Sequence, residues 1–193
     1  GTSGVYVYGF QREAGSYPTS YIPTYGASVT RTNESASITN ASSIIGQTQG
    51  TIFVDYDFDA TKSNGGGSDN DIIHLRNASN DLIKISHYGD ASFAAAKKVY
   101  LYQYYNSAYQ AIISSPVQST GRMKVAVVYR ENYYALFVNG VKIGEDLNAN
   151  VPSLDLIYLN KNTGFAQVTN PRHQAVLFPT ALTDSECIAL TTL

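Results

Sequence analysis

Residues 124–145 read KVAVVYRENYYALFVNGVKIGE. Val125, Val127 and Tyr129 alternate with Ala126, Val128 and Arg130, which is the period-two pattern of a strand. Arg130-Glu131-Asn132 breaks the run. Tyr134, Leu136 and Val138 then alternate with Tyr133, Ala135 and Phe137, and Asn139-Gly140 closes this second strand. Asn-Gly between alternating apolar runs signals a hairpin, because both central residues of a type I′ turn need positive φ. Residues 141–145 start a third strand.

The same pattern extends in both directions. Residues 51–58 (TIFVDYDF) alternate Ile52, Val54, Tyr56 and Phe58 against Phe53, Asp55 and Asp57, a half-buried strand. Residues 71–76 and 82–88 form a pair, broken by Asn77-Ala78-Ser79-Asn80-Asp81. Residues 99–105 and 109–114 form another, turning at Asn106-Ser107, and further strands are expected at 154–159 and 174–178. Strands about every 8–12 residues with turn signals between them predict an all-β sandwich or barrel. Thr183-Asp184-Ser185-Glu186 is a capping box and predicts one short helix over residues 184–190. Towards the start, residues 5–10 (VYVYGF) read as a short strand. Residues 11–31 carry Pro18 and Pro23 among Tyr and Ile, and read as a packed, extended connector. The predicted organisation is therefore a strand and connector over 1–30 and a main domain over 31–193.

With 193 residues the chain can bury a substantial core without staples. Its net charge of −2, with no basic cluster beyond Lys97-Lys98, argues against nucleic acid as a partner. The single Cys187 cannot form an internal disulfide, which argues against a eukaryotic secreted module. The sequons at Asn33, Asn40 and Asn77 matter only in such a setting. No apolar run approaches the roughly 20 residues a membrane helix needs. The opening Gly-Thr-Ser-Gly falls in mid-pattern and reads as part of a longer protein. The unusual count is aromatic: 16 Tyr, 7 Phe and no Trp. Rings in such number suit sugars, sibling subunits of a fibre, or simply strand propensity.

Three sets of residues carry a family resemblance. Gln11-Arg12-Glu13-Ala14-Gly15-Ser16, Thr19-Ser20-Tyr21-Ile22-Pro23-Thr24 and Val29-Thr30-Arg31 resemble a segment of phage tail-fibre and spike proteins that closes one jelly-roll module and leads into a laminin-G-like one. Gly50-Thr51-Ile52-Phe53-Val54 resembles the first core strand of that second module. Val138-Asn139-Gly140 and the stretch from Phe178-Pro179-Thr180 through Glu186 resemble its central hairpin and its closing strand and helix. The chain departs from the family at Lys161 to Arg172, where a shorter turn is usual. The resemblance implies a two-sheet jelly-roll sandwich of the concanavalin-A-like (laminin-G-like) kind, on a virion or an extracellular cell surface. It implies a non-catalytic carbohydrate- or receptor-binding module, whose partners are glycans of a bacterial surface and other subunits of the same fibre, as a homo-oligomer. A structural assembly module is the alternative, and a glycoside hydrolase or polysaccharide lyase a second.

Candidate residues follow for each reading. Tyr100, Tyr102 and Tyr104 share one strand face, with Tyr105 and Tyr109 near its turn. Stacked aromatic faces meet the C–H side of pyranoses and their hydroxyls add directional bonds. The same spacing also serves cross-strand aromatic pairing, at about 0.2–1 kcal/mol per pair. Asp55, Asp57 and Asp59 present three carboxylates on one face, as some glucanases of this fold do for nucleophile and general acid/base. The alternative is an ordinary solvent face; the enzymes use Glu at the outer positions, and no Trp is present to hold a sugar ring. The loop over 62–70 (KSNGGGSDN), followed by Asp71, is rich in oxygen ligands; laminin-G-like domains often hold calcium near a loop rim, which makes Asp69 and Asp71 the calcium candidates. No other cofactor is expected. His74, His87 and His173 show no paired ligand spacing, and Cys187 reads as packing.

Overall fold

The computed structural model describes residues 36–58, 70–87, 97–159 and 171–193, and before them positions 4, 5, 8–10, 12, 21, 23 and 25–27. The chain divides into two compact units, Gly1–Glu34 and Ser35–Leu193. In the first, the strand expected over residues 5–10 is not present at Val5, Tyr8, Gly9 or Phe10. Gly9 has φ +75°, outside the β region, and Val5, Tyr8 and Phe10 are 89%, 93% and 85% exposed.

The second unit is a jelly-roll sandwich of two antiparallel sheets. Its strands are β1 (Ala36–Ile38), β2 (Gln49–Phe58), β3 (Asn70–Arg76), β4 (Leu82–His87), β5 (Val99–Tyr105), β6 (Ala108–Ser114), β7 (Gly121–Arg130), β8 (Tyr133–Val138), β9 (Val141–Asp146), β10 (Leu156–Leu159) and β11 (Arg172–Phe178). Among the described residues, one sheet has six strands in the order β1-β10-β3-β4-β5-β6 and the other has five, β11-β2-β7-β8-β9. Helix α1 (Asp184–Thr191) closes the chain, with Thr183 as N-cap and the reciprocal Glu186 bond of the capping box in place.

Side-chain alternation explains the layers. Ile52, Val54, Tyr56 and Phe58 of β2 and Val125, Val127 and Tyr129 of β7 face inward onto Ile73, Leu75, Ile83, Ile85, Val99 and Leu101 of the other sheet. The deciding stretch folds as read: Asn139 and Gly140 have φ 48° and 79° and join β8 to β9. Its outward residues are buried as well, because Ala126, Val128, Ala135 and Phe137 lie with Phe53 under α1 and its Cys187. That second layer explains why this run is apolar in both phases.

The Asn139-Gly140 turn is held from two directions. Asn139 Oδ1 accepts the Lys124 N–H at 2.9 Å, and the Gly140 N–H donates to Thr191 Oγ1 at 3.1 Å. The hairpin thus carries the end of the helix.

Candidate functional site

The two outer faces of the sandwich carry the two sets of candidate residues, and they lie on opposite sides. In β5, Val99, Leu101 and Gln103 are buried inward, so Tyr100, Tyr102 and Tyr104 stand on the outer face of the six-stranded sheet, half-buried. Tyr100 and Tyr102 are stacked, with centroids 5.4 Å apart and planes 9° apart. Tyr109 of β6 joins them, 5.6 Å from Tyr102 and 5.0 Å edge-on from Tyr104. A register shift between Gln103 and Tyr104 brings Tyr109 opposite Tyr104. Tyr109 is 55% exposed and the neighbouring Ile112 53%. Tyr105 falls on the alternate face and is not part of the cluster.

The register continues this face inward along the sheet. His74, Lys84, Tyr102 and Ile112 form one row across β3, β4, β5 and β6, with Tyr158 of β10 beside His74. Asp71, Ser86 and Tyr100 form the adjacent row. Asp71 accepts from Lys84 Nζ and from His74 Nδ1, each at 3.0 Å, and all three residues are buried. Lys84 Nζ also lies 5.1 Å from the centre of the Tyr102 ring. His74 Nε2 and Ser86 Oγ are buried without a hydrogen-bond partner. Asp71, the described one of the two calcium candidates, sits in β3 as the strand expected over 71–76 requires, and an ammonium and an imidazole hold its two oxygens. Asp69 and the loop over residues 62–69 lie outside the described residues. Among the described residues no three His, Cys, Asp or Glu side chains come together as a metal site.

The acids of β2 are on the other side. Asp55 and Asp57 alternate with the core residues and so stand on the outer face of the five-stranded sheet. Arg122 grips Asp55 at two points, Nε to Oδ1 at 2.9 Å and Nη2 to Oδ2 at 2.7 Å. The hydrogen bonding from Arg122 holds the Asp55 carboxyl below its usual 3.8, although burial pulls it the other way. Asp57 pairs with His173 Nε2 at 3.0 Å. Asp59 lies outside the described residues. A retaining or inverting pair needs one protonated carboxyl and one carboxylate; Asp55, held ionised by Arg122, is not the proton donor of such a pair. His87 is a core residue, stacked on Tyr56, and burial pushes it down to about 3. Cys187 is buried and burial pushes its thiol up to about 11, far from a nucleophile. Asn77 is tied into its turn by Asp81 and the Ser153 carbonyl, Asn40 precedes a 3-10 turn, and Asn33 lies outside the described residues.

No protein-family model matches the sequence, and no curated protein does. Solved structures do resemble it. The CBM40 of Ruminococcus gnavus IT-sialidase, bound to α2,3-sialyllactose, superposes with a TM-score of 0.56 at 18% identity, over 83% of this chain and 97% of that one. A heptameric SAP-like pentraxin from Limulus polyphemus gives 0.51 at 14% identity, over 72% of this chain and 68% of that one. The leech intramolecular trans-sialidase gives 0.53 at 16% identity, over 77% of this chain but 24% of that one. What the chain shares with these proteins is the fold, a jelly-roll sandwich of two antiparallel sheets.

Proposed function

We propose that the chain is a non-catalytic carbohydrate-binding module whose glycan contacts lie on the tyrosine face of the six-stranded sheet. One observation carries this reading: Tyr100, Tyr102, Tyr104 and Tyr109 gather on one outward face, ending at the exposed ring of Tyr109 and the exposed aliphatic side chain of Ile112. The exposed Tyr109 offers both an aromatic face for stacking and a phenol hydroxyl for hydrogen bonding, as pyranose recognition requires. The fold is one on which another protein binds sialyllactose. The acids Asp55 and Asp57 stand on the opposite face, so a glycan on the tyrosines is out of their reach. The test is a glycan array on the intact chain, followed by calorimetry on hits with Tyr109→Ala.

The wider setting follows the tail-fibre resemblance of residues 11–31. In this reading the module sits on a virion or cell surface, residues 1–30 connect it to a preceding module, and it meets bacterial polysaccharide as a receptor. A second reading, assembly with sibling subunits, is favoured by Val5, Tyr8 and Phe10, apolar and almost fully exposed. Sedimentation of the chain distinguishes it: a stable trimer with no glycan hit supports assembly, and a monomer that binds sugar supports the first reading.

A further inference from the structure

Arg172 opens β11 and points into the sandwich. Its register partner is Tyr56, and directly opposed residues of an antiparallel pair share a face. Tyr56 is fully buried in the core. The inward aim comes from a register shift between Arg172 and Gln174. The extra residue, His173, takes the outer face and meets Asp57, which leaves Arg172 turned to the core. The guanidinium reaches the other sheet, where Nε donates to the Ile72 carbonyl at 3.2 Å. Its Nη2 is buried and makes no hydrogen bond, and neither does the buried Tyr56 hydroxyl. The His87 ring stacks 6.0 Å from Tyr56 and meets Phe58 edge-on at 4.8 Å, so aromatic rings wall this end of the core.

A guanidinium keeps its charge at every accessible pH, and a buried cation without a counter-charge is costly. The nearby acids are committed elsewhere: Asp55 to Arg122, Asp57 to His173, and Asp71 to Lys84 and His74. Among the described residues no carboxylate hydrogen-bonds Arg172. His87 is neutral, because burial and then the Arg172 charge push it down to about 3. Burial raises the Tyr56 phenol, so it keeps its hydrogen and has a donor to offer. Water could meet the hydrogen bonds but not the charge.

We propose that Arg172 Nη2 and the Tyr56 hydroxyl form an internal site for a small monovalent anion of halide size, lodged between the sheets at the start of β11. Two donors among aromatic walls suit an ion that is weakly hydrated and needs few partners. The ion stabilises the fold and is independent of glycan binding on the outer face.

Crystals soaked in sodium bromide and measured at the bromine edge test this directly, beside melting curves in chloride at constant ionic strength with gluconate as the balancing anion. The expected result is an anomalous peak within hydrogen-bonding distance of both donors, and a melting temperature that rises and saturates with chloride, as a ligand of the native state alone requires. Tyr56→Phe should weaken the chloride response several-fold, and Arg172→Met should abolish it. Should Arg172→Met not fold, the bromide peak and Tyr56→Phe decide the matter. Water alone at the site, a carboxylate of the chain itself seated on Arg172, or a peak in the soak with no chloride response (an adventitious ion only) would each overturn the proposal.

Discussion

Tyr100 and Tyr102 lie parallel on the outer face of β5, their ring centres 5.4 Å apart. Each ring therefore supports the other, and Tyr109 from the next strand leans over Tyr102. The two meanings of a tyrosine-rich strand, platform and internal pairing, are divided among these residues. Tyr102, with Tyr100 on one side and Lys84 near its ring, is a packing residue. Tyr109 has the exposed surface a ligand needs.

Tyr102→Ala should therefore cost stability. Loss of the aromatic pairs removes about 0.5–1.5 kcal/mol beyond the lost area, which lowers the melting temperature of a chain this size by a few degrees. Calorimetric scanning of the variant against the parent checks it. An unchanged melting temperature would mean the stack does not hold the sheet together.

Acid should weaken the fold through Asp55. The folded carboxyl lies below its usual 3.8 because Arg122 donates to it. Between the two values the unfolded chain binds more protons, so this contribution is complete above about pH 4 and is lost as pH falls through the folded value. Denaturant midpoints measured from pH 5 to pH 2 should fall less steeply in Asp55→Asn than in the parent. Parallel curves would remove Asp55 from the account of acid sensitivity.

The strand start at Gly50 is a close approach. A Cβ there would run into the Tyr129 hydroxyl and the ring carbon that bears it, while that hydroxyl donates to the Gly46 carbonyl at 2.9 Å. Gly50→Ala should cost about 1–3 kcal/mol through overpacking. Tyr129→Phe combined with Gly50→Ala should recover part of the loss, since it removes the nearest clashing atom. Urea unfolding of the single and double variants measures both.

The helix cap offers a smaller, local check. Thr183 Oγ1 accepts the Glu186 N–H, and the Thr183 N–H donates to Glu186. Thr183→Ala should cost about 1 kcal/mol. Because Gly140 is tied to Thr191 of the same helix, amide exchange at the Asn139-Gly140 turn should quicken as well. Exchange confined to residues 184–191 would show that hairpin and helix are uncoupled.

Local signals made most of this fold legible. Alternation marked β2, β5, β7 and β8, the Asn139-Gly140 pair marked its turn, and Thr183 and Glu186 marked the helix start, because each depends on neighbours in the chain. β1 was not legible: three exposed residues, Ala36, Ser37 and Ile38, have no periodicity to show. The pairing of Asp71 was not legible, because Lys84, which holds one of its oxygens, comes from the next strand. The inward turn of Arg172 depends on one extra residue in β11, which no pattern in the sequence announces. That Asp55 and Asp57 face away from the tyrosines required knowing which sheet each strand joins. The phase of β2 and of β5 was readable, but the sheet each joins was not.

Titration of a glycan identified by array against three chains, the parent, Tyr109→Ala and Asp57→Asn, locates the binding face. Tyr109→Ala should lower affinity by about tenfold or more, a loss of about 1.4 kcal/mol, with its melting temperature kept, and Asp57→Asn should bind as the parent does. Full binding by Tyr109→Ala together with loss in Asp57→Asn would contradict this, and would move the site to the outer face of the five-stranded sheet.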